Sequence, residues 1–157
     1  MEEKKISMVV SLEPKFLDEN INVHIKNSLD KQIGTCSQDY GYLISIKSFV
    51  ISDTEISRAS ADIIIRLRVV AMVLKPQIDT EYSVSVVACI NGNGIYAQAY
   101  GKLKILIMER NFTDFKFESG SYVFPDRTIQ IGDTLNVIIK AIKYEKNNFQ
   151  CIGILKV

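Results

Sequence analysis

Tyr82-Ser83-Val84-Ser85-Val86-Val87-Ala88-Cys89-Ile90, then Asn91-Gly92-Asn93-Gly94, then Ile95-Tyr96-Ala97-Gln98-Ala99-Tyr100 is the stretch that decides the fold. Val84, Val86 and Ala88 alternate as one face of a strand must, and two Asn-Gly pairs tolerate the positive φ of a tight hairpin. Gly101-Lys102 supplies a second turn, and Leu103 to Met108 a third strand. Farther on, Gly132-Asp133 leads into Leu135 to Tyr144, and Lys146-Asn147-Asn148 separates that strand from Phe149 to Leu155, while Arg110 to Tyr122 reads as irregular chain. Five short strands, the first three a meander, predict a small Greek-key barrel of the OB type, a pattern that other five-stranded barrels share.

The amino-terminal half reads differently. Ile6, Met8, Val10 and Leu12 alternate as a first strand. After Pro14, Asp18 is a candidate N-cap, and Ile21, Ile25, Leu29 and Ile33 recur at helical spacing up to Gly34. Tyr40 to Ile51 and Ile63 to Leu74 carry strand chemistry, with polar Ser52 to Asp62 expected as a loop. Ile63, Ile64 and Ile65 cannot share one strand face, so both faces of that strand are expected to be covered, the second by a partner or by the carboxy-terminal domain. Pro76 cannot sit inside a paired central strand, which places a boundary near Lys75 to Asp79. The expected class is α+β: a small α/β domain over 1–78, then the barrel over 79–157.

The chain has 157 residues, 47% of them hydrophobic, enough to build cores. Nineteen basic against eighteen acidic residues give a net charge of +1, which excludes a polycation held on nucleic acid by charge alone. Any RNA or DNA contact must therefore be local. No stretch approaches the roughly 20 apolar residues of a membrane helix, and the charged start Met1-Glu2-Glu3-Lys4-Lys5 lacks a signal-type apolar run. An intracellular protein that does not engage membranes is expected, with Cys36, Cys89 and Cys151 as reduced thiols. Those three are too far apart for a CxxC pair and, with the single histidine His24, make a structural zinc site improbable. No metal or other cofactor is expected.

Catalytic chemistry finds little footing. His24 sits between Val23 and Ile25 of the helical segment and reads as a partly packed surface residue rather than a base. Asn91-Gly92-Asn93-Gly94 lacks the following Lys-Ser/Thr and helix start of a phosphate-binding loop. Cys36 has no basic neighbour to hold a thiolate. Nucleic-acid binding is better served, because barrels of this type bind single strands on the face of their second and third strands by aromatic stacking and basic groups. The matching segment holds Tyr96, Gln98 and Tyr100 in alternation, followed by Lys102, Lys104 and Arg110, with Lys140 and Lys143 as weaker candidates. The alternative is that the tyrosines fill the barrel and the lysines are solvated.

Gly34-Thr35-Cys36-Ser37-Gln38-Asp39-Tyr40-Gly41-Tyr42-Leu43-Ile44 resembles the G-T-C-S-x-x-Y-G-Y-I-I signature of the stalk subunit family of multisubunit DNA-directed RNA polymerases, which comprises the seventh subunit of the eukaryotic nuclear enzyme and its archaeal counterpart. Its context is similar too, from Leu12-x-Pro14 to Leu74-Lys75-Pro76 and a barrel ending in Ile152-Gly153-Ile154-Leu155. Within the signature, Gly34, Cys36, Tyr40, Gly41 and Tyr42 have a structural reading first: Gly34 ends the helix, and Gly41 lets backbone approach closely. The resemblance implies a non-catalytic subunit whose amino-terminal tip domain docks on the polymerase core and on a second stalk subunit where one exists. Its OB domain would meet the emerging single-stranded transcript. The family's glycine-rich tip loop is replaced by Ser52 to Ser60, and Ile56 and Arg58 match the tip by position, which makes them the candidates for core contact. An Ile, Lys and Asn bias of the kind that accompanies AT-rich coding sequence fits a large DNA virus or a divergent eukaryote. The rival expectation is an autonomous single-stranded RNA-binding protein.

Overall fold

A computed structural model describes residues 1–156, and the chain divides into two compact units between Lys75 and Pro76. The first is one antiparallel sheet carrying one helix. In chain order it comprises β1 (Glu2–Leu12), a 3-10 turn (Pro14–Phe16), α1 (Ile21–Asp30), β2 (Cys36–Ser37), β3 (Gly41–Ile56) and β4 (Ile63–Leu74). The spatial order is β1-β4-β3-β2. β1 pairs with β4 without interruption from Glu2↔Val73 to Leu12↔Ile63, so it starts four residues before the expected Ile6. Ladder bonds extend a strand whatever its side chains do, and the added charged residues lie at the surface or only half-buried. Met8, Val10, Leu12, Ile65, Leu67 and Val69 form the sheet's side of the core, against Ile25 and Leu29 of α1. Each of those two helical side chains is fully buried, worth about 1.5–3 kcal/mol apiece.

Four expectations for this unit need correction. Asp18 does not cap the helix: Asn20 holds that position, and the Asp18 carboxylate accepts the Asn20 N–H at 2.8 Å. Ile33 lies beyond the helix and is exposed, because a four-residue step drifts about 40° per repeat on a 3.6-residue helix. Gly34 follows four residues after the last helical residue, with φ 94°. β3 runs on to Ile56 where a loop was expected from Ser52. Its polar end is held by partners on β4: Arg66 pairs with Asp53 at 3.4 Å and Glu55 at 2.9 Å, and the Ser52 hydroxyl donates to the Arg66 carbonyl at 3.0 Å. On β4 a core-facing row alternates with a less buried one, in which Ile64, Val70 and Met72 are part-covered. Ile63, Ile65, Leu67, Val69, Ala71 and Val73 are buried while Arg66 and Arg68 between them are exposed.

The second unit contains β5 (Glu81–Ile90), β6 (Gly94–Ala99), β7 (Leu103–Met108), a 3-10 turn (Glu109–Asn111), β8 (Lys116–Glu118), β9 (Ser121–Val123), β10 (Thr128–Ile129), β11 (Thr134–Glu145) and β12 (Asn148–Leu155). Five of these close a barrel in the order β11-β12-β7-β6-β5, with β5 pairing back to β11 over Thr134↔Ser85 to Ile138↔Glu81. β12 lies parallel to β7, and every other contact in the barrel is antiparallel. Numbered among themselves the barrel strands run 1-2-3-5-4 and return to 1, an OB-like Greek-key closure. Val86, Ile95, Ile105, Ile107, Val137 and Ile139 are among the side chains that fill it.

Both tight turns form as the sequence expects. Gly92 has φ 88° with the Asn93 N–H bonded to the Ile90 carbonyl at 3.1 Å, and Tyr100 and Gly101 have φ 54° and 68°. Arg110 to Tyr122 is not irregular throughout. It enters a three-stranded sheet, β10-β9-β8, inserted between the third and fourth barrel strands, in which Phe117, Tyr122 and Ile129 stand in register. Phe112, Phe115 and Phe117 pack on the fully buried Tyr122 ring at centroid distances of 5.0 to 5.7 Å, and Phe124 packs on Phe112 and Phe115 at 5.3 and 6.5 Å. Strands of two or three residues are too short to show a period.

Candidate nucleic-acid groove

Cross-strand register places two rows of side chains on the outer face of the barrel. Ala88, Tyr96, Leu106, Ile152 and Ala141 stand opposite one another on β5, β6, β7, β12 and β11. One step along the same face, Gln98, Lys104, Gln150 and Lys143 make a second row on β6, β7, β12 and β11. Residues two apart on a strand lie roughly 6.7 Å apart, so an apolar row with one tyrosine runs beside a polar row with two lysines. Both rows line one concavity of about 760 Å³, walled on one side by Val87 and Ile90 and on the other by Ile142. Its sides are the far halves of β5 and β11, which pair with each other only over residues 81–85 and 134–138. Backbone bonds continue one step past each end, from Val86 to Gly132 and Asp133 and from Ile139 to Asp79 and Thr80, and farther on each strand no longer has the other as a neighbour.

This arrangement sorts the residues expected from sequence. Tyr96 lies in the groove, 37% exposed, with its neighbours Ile95 and Ala97 turned into the barrel, so it does not serve as barrel filling. Lys104 lies in the groove, exposed and without an ion-pair partner among the described residues. Tyr100 and Lys102 are exposed in the β6–β7 turn, outside the lining. Arg110 is exposed in the 3-10 turn at the opposite end of β7, so it and Lys102 are separated by the length of that strand and the three cations do not cluster. Lys143 lines the groove but pairs with Glu145 at 2.9 Å, and Lys140 pairs with Asp79 at 2.9 Å outside it. Gln98, which alternates with Tyr96 in the sequence, also lines the groove, whereas Gln150, Leu106 and Ile152 were missed. The last two are supplied by strand pairings that a single sequence does not specify.

Elsewhere the chemistry is structural. Gly41 has φ 84°, and a Cβ there would strike the Leu74 carbonyl oxygen and lie 2.7 Å from its carbon and 2.8 Å from the Lys75 Cα. Gly34 donates its N–H to the Leu43 carbonyl at 2.8 Å, Cys36 pairs with Tyr42 in the β2–β3 ladder, and Tyr40 packs on the core. Ile56 and Arg58 are exposed at the tip of the β3–β4 hairpin, Ile56 at 71%. His24 holds its Nε2 3.4 Å from the Asp18 carboxylate and packs its ring, tilted by 49°, 4.7 Å from that of Phe16. Burial pushes the Cys151 thiol up to about 11 and raises that of Cys89, which keeps both neutral. Among the described residues no group of three His, Cys, Asp or Glu could hold a metal ion, and no helix is long and apolar enough to cross a membrane.

No protein-family model matches the chain, and no curated protein does.

Proposed function

We propose that the barrel binds single-stranded RNA along this groove, and that the chain does so as a non-catalytic stalk subunit of a DNA-directed RNA polymerase. The observation that carries the RNA reading is the adjacency of the Tyr96 row and the Lys104 row. Bases stack on Tyr96 and rest on Leu106 and Ile152 while the phosphates pass Lys104, with the Gln98 and Gln150 amides beside it. One tyrosine and one unpaired lysine give weak binding, which suits a contact made effective by proximity to an exit channel. The stalk reading is supported by the resemblance of Gly34 to Ile44 and by the tight backbone approach at Gly41 that this signature accompanies. In this reading the hairpin tip at Ile56 and Arg58 docks on the polymerase core, and a second stalk subunit, where one exists, is a further partner. Purification of the tagged chain followed by identification of the large polymerase subunits tests it.

The second reading is an autonomous single-stranded RNA-binding protein. It is favoured by the barrel's complete closure and its own buried core, which require no partner. RNA binding without polymerase association would select it.

A further inference from the structure

One wall of the groove is a ribbon that the barrel alone does not hold. Past Ser85, β5 leaves the β11 ladder: Val86 still exchanges backbone hydrogen bonds with Asp133 and Gly132 at 2.9 and 3.0 Å, and from Val87, which is bulged out of the pairing, β5 has only β6 as a strand neighbour. A two-stranded ribbon is marginal by itself. Val87 and Ile90 nevertheless line the groove, and Tyr96 stands opposite Ala88 on the same ribbon.

What holds the ribbon comes from the insertion between the third and fourth barrel strands. The Tyr122 hydroxyl lies 2.6 Å from the Ile90 carbonyl oxygen and 2.9 Å from Glu109 Oε2, sharing its single hydrogen between two acceptors. The same Glu109 oxygen accepts the Gly92 N–H, and the Glu109 N–H donates to the Asn93 carbonyl at 3.1 Å. The hairpin is thus gripped at Ile90, Gly92 and Asn93. Tyr122 is itself fixed by edge-to-face contacts with Phe112 at 5.2 Å and Phe117 at 5.0 Å. Burial, reinforced by the nearby carboxylate, raises the Tyr122 pKa, so the phenol remains a donor throughout the neutral range.

We propose that Tyr122 and Glu109 are positioning residues for the groove, a clamp that sets the β5–β6 hairpin and with it Ile90 and Tyr96. Neither touches RNA in this account, which rests on the RNA reading above. The three-stranded insertion then serves the site as a brace.

The test uses the full chain, amide exchange at Gly92, and a fluorescein-labelled oligouridylate as probe. Tyr122→Phe keeps the ring packing and removes the donor. It should speed exchange at Gly92 roughly ten-fold and weaken the probe several-fold with an unchanged salt slope. Glu109→Ala should do the same, and Glu109→Gln, whose carboxamide oxygen can still accept the Gly92 N–H, should recover most of both. A merely structural role would lower the melting temperature without this pattern of rescue. Wild-type exchange at Gly92 and wild-type affinity in both Tyr122→Phe and Glu109→Ala would overturn the clamp. If Tyr122→Phe fails to fold, the Glu109 pair decides alone. A probe that the wild-type protein fails to bind strikes at the RNA reading, and exchange at Gly92 then decides the clamp.

Discussion

Gly41 and Leu74 meet backbone to backbone: the position a Cβ would occupy on Gly41 is already taken by the Leu74 carbonyl group. The contact closes the sheet where β3 begins and β4 ends, in the ladder pair next to Tyr42↔Leu74. Any side chain at 41 must displace main chain while holding φ 84°. Gly41→Ala should therefore destabilise the first unit by about 2–3 kcal/mol, and Gly41→Val by more. Gly120→Ala is the control, since φ there is also positive but nothing lies within 4 Å, and it should cost only about 1 kcal/mol. Denaturant unfolding of the three variants measures the difference, and equal losses at 41 and 120 would show that the close approach carries no energy.

The cations should separate by position. Lys104→Glu should weaken a single-stranded RNA probe across all sequences and flatten the salt dependence by about 0.7 in the log–log slope. Lys102→Glu and Arg110→Glu should change affinity far less, because both lie outside the groove. Tyr96→Ala should cost about 1–3 kcal/mol of stacking with the slope retained, and Tyr96→Phe should bind as wild type. Fluorescence anisotropy over a salt series reads all five variants. A slope unmoved by Lys104→Glu would make that lysine ordinary surface.

What the sequence made legible follows from how local each signal is. The β5–β6 hairpin rests on Asn91 to Gly94 and the β6–β7 turn on Gly101, both readable within a few residues, and β4 was bounded at Ile63 and Leu74 as its pattern suggested. The second half of β3 was lost because Asp53 and Glu55 look like loop residues until Arg66 is placed across from them. Arg110 was grouped with Lys102 on composition alone, whereas a strand of six residues lies between them. Tyr122 and Glu109 carried no signal in either period, since the insertion's strands are too short to alternate.

Cys151 gives a pH prediction. Its thiol is held up to about 11 in the folded barrel against 9.0 for a free one, so the native state binds the proton more tightly than the unfolded state. The barrel's stability should be unaffected by this group below about pH 9 and should fall by on the order of 2–3 kcal/mol as pH rises toward 11, where the folded thiol also ionises. Urea unfolding of wild type and Cys151→Ala between pH 8 and 11 isolates it. The two stabilities should converge as pH rises, and a constant gap would contradict the assignment.

The most direct test of the central claim is recovery of polymerase. The tagged full chain, expressed in its own system and purified under mild conditions, should bring down the two large subunits of a DNA-directed RNA polymerase. An Ile56→Asp, Arg58→Glu double variant should lose them while binding the RNA probe as wild type does. A folded, RNA-binding wild-type chain that recovers no polymerase subunit would contradict the stalk assignment and leave the autonomous RNA-binding protein in its place.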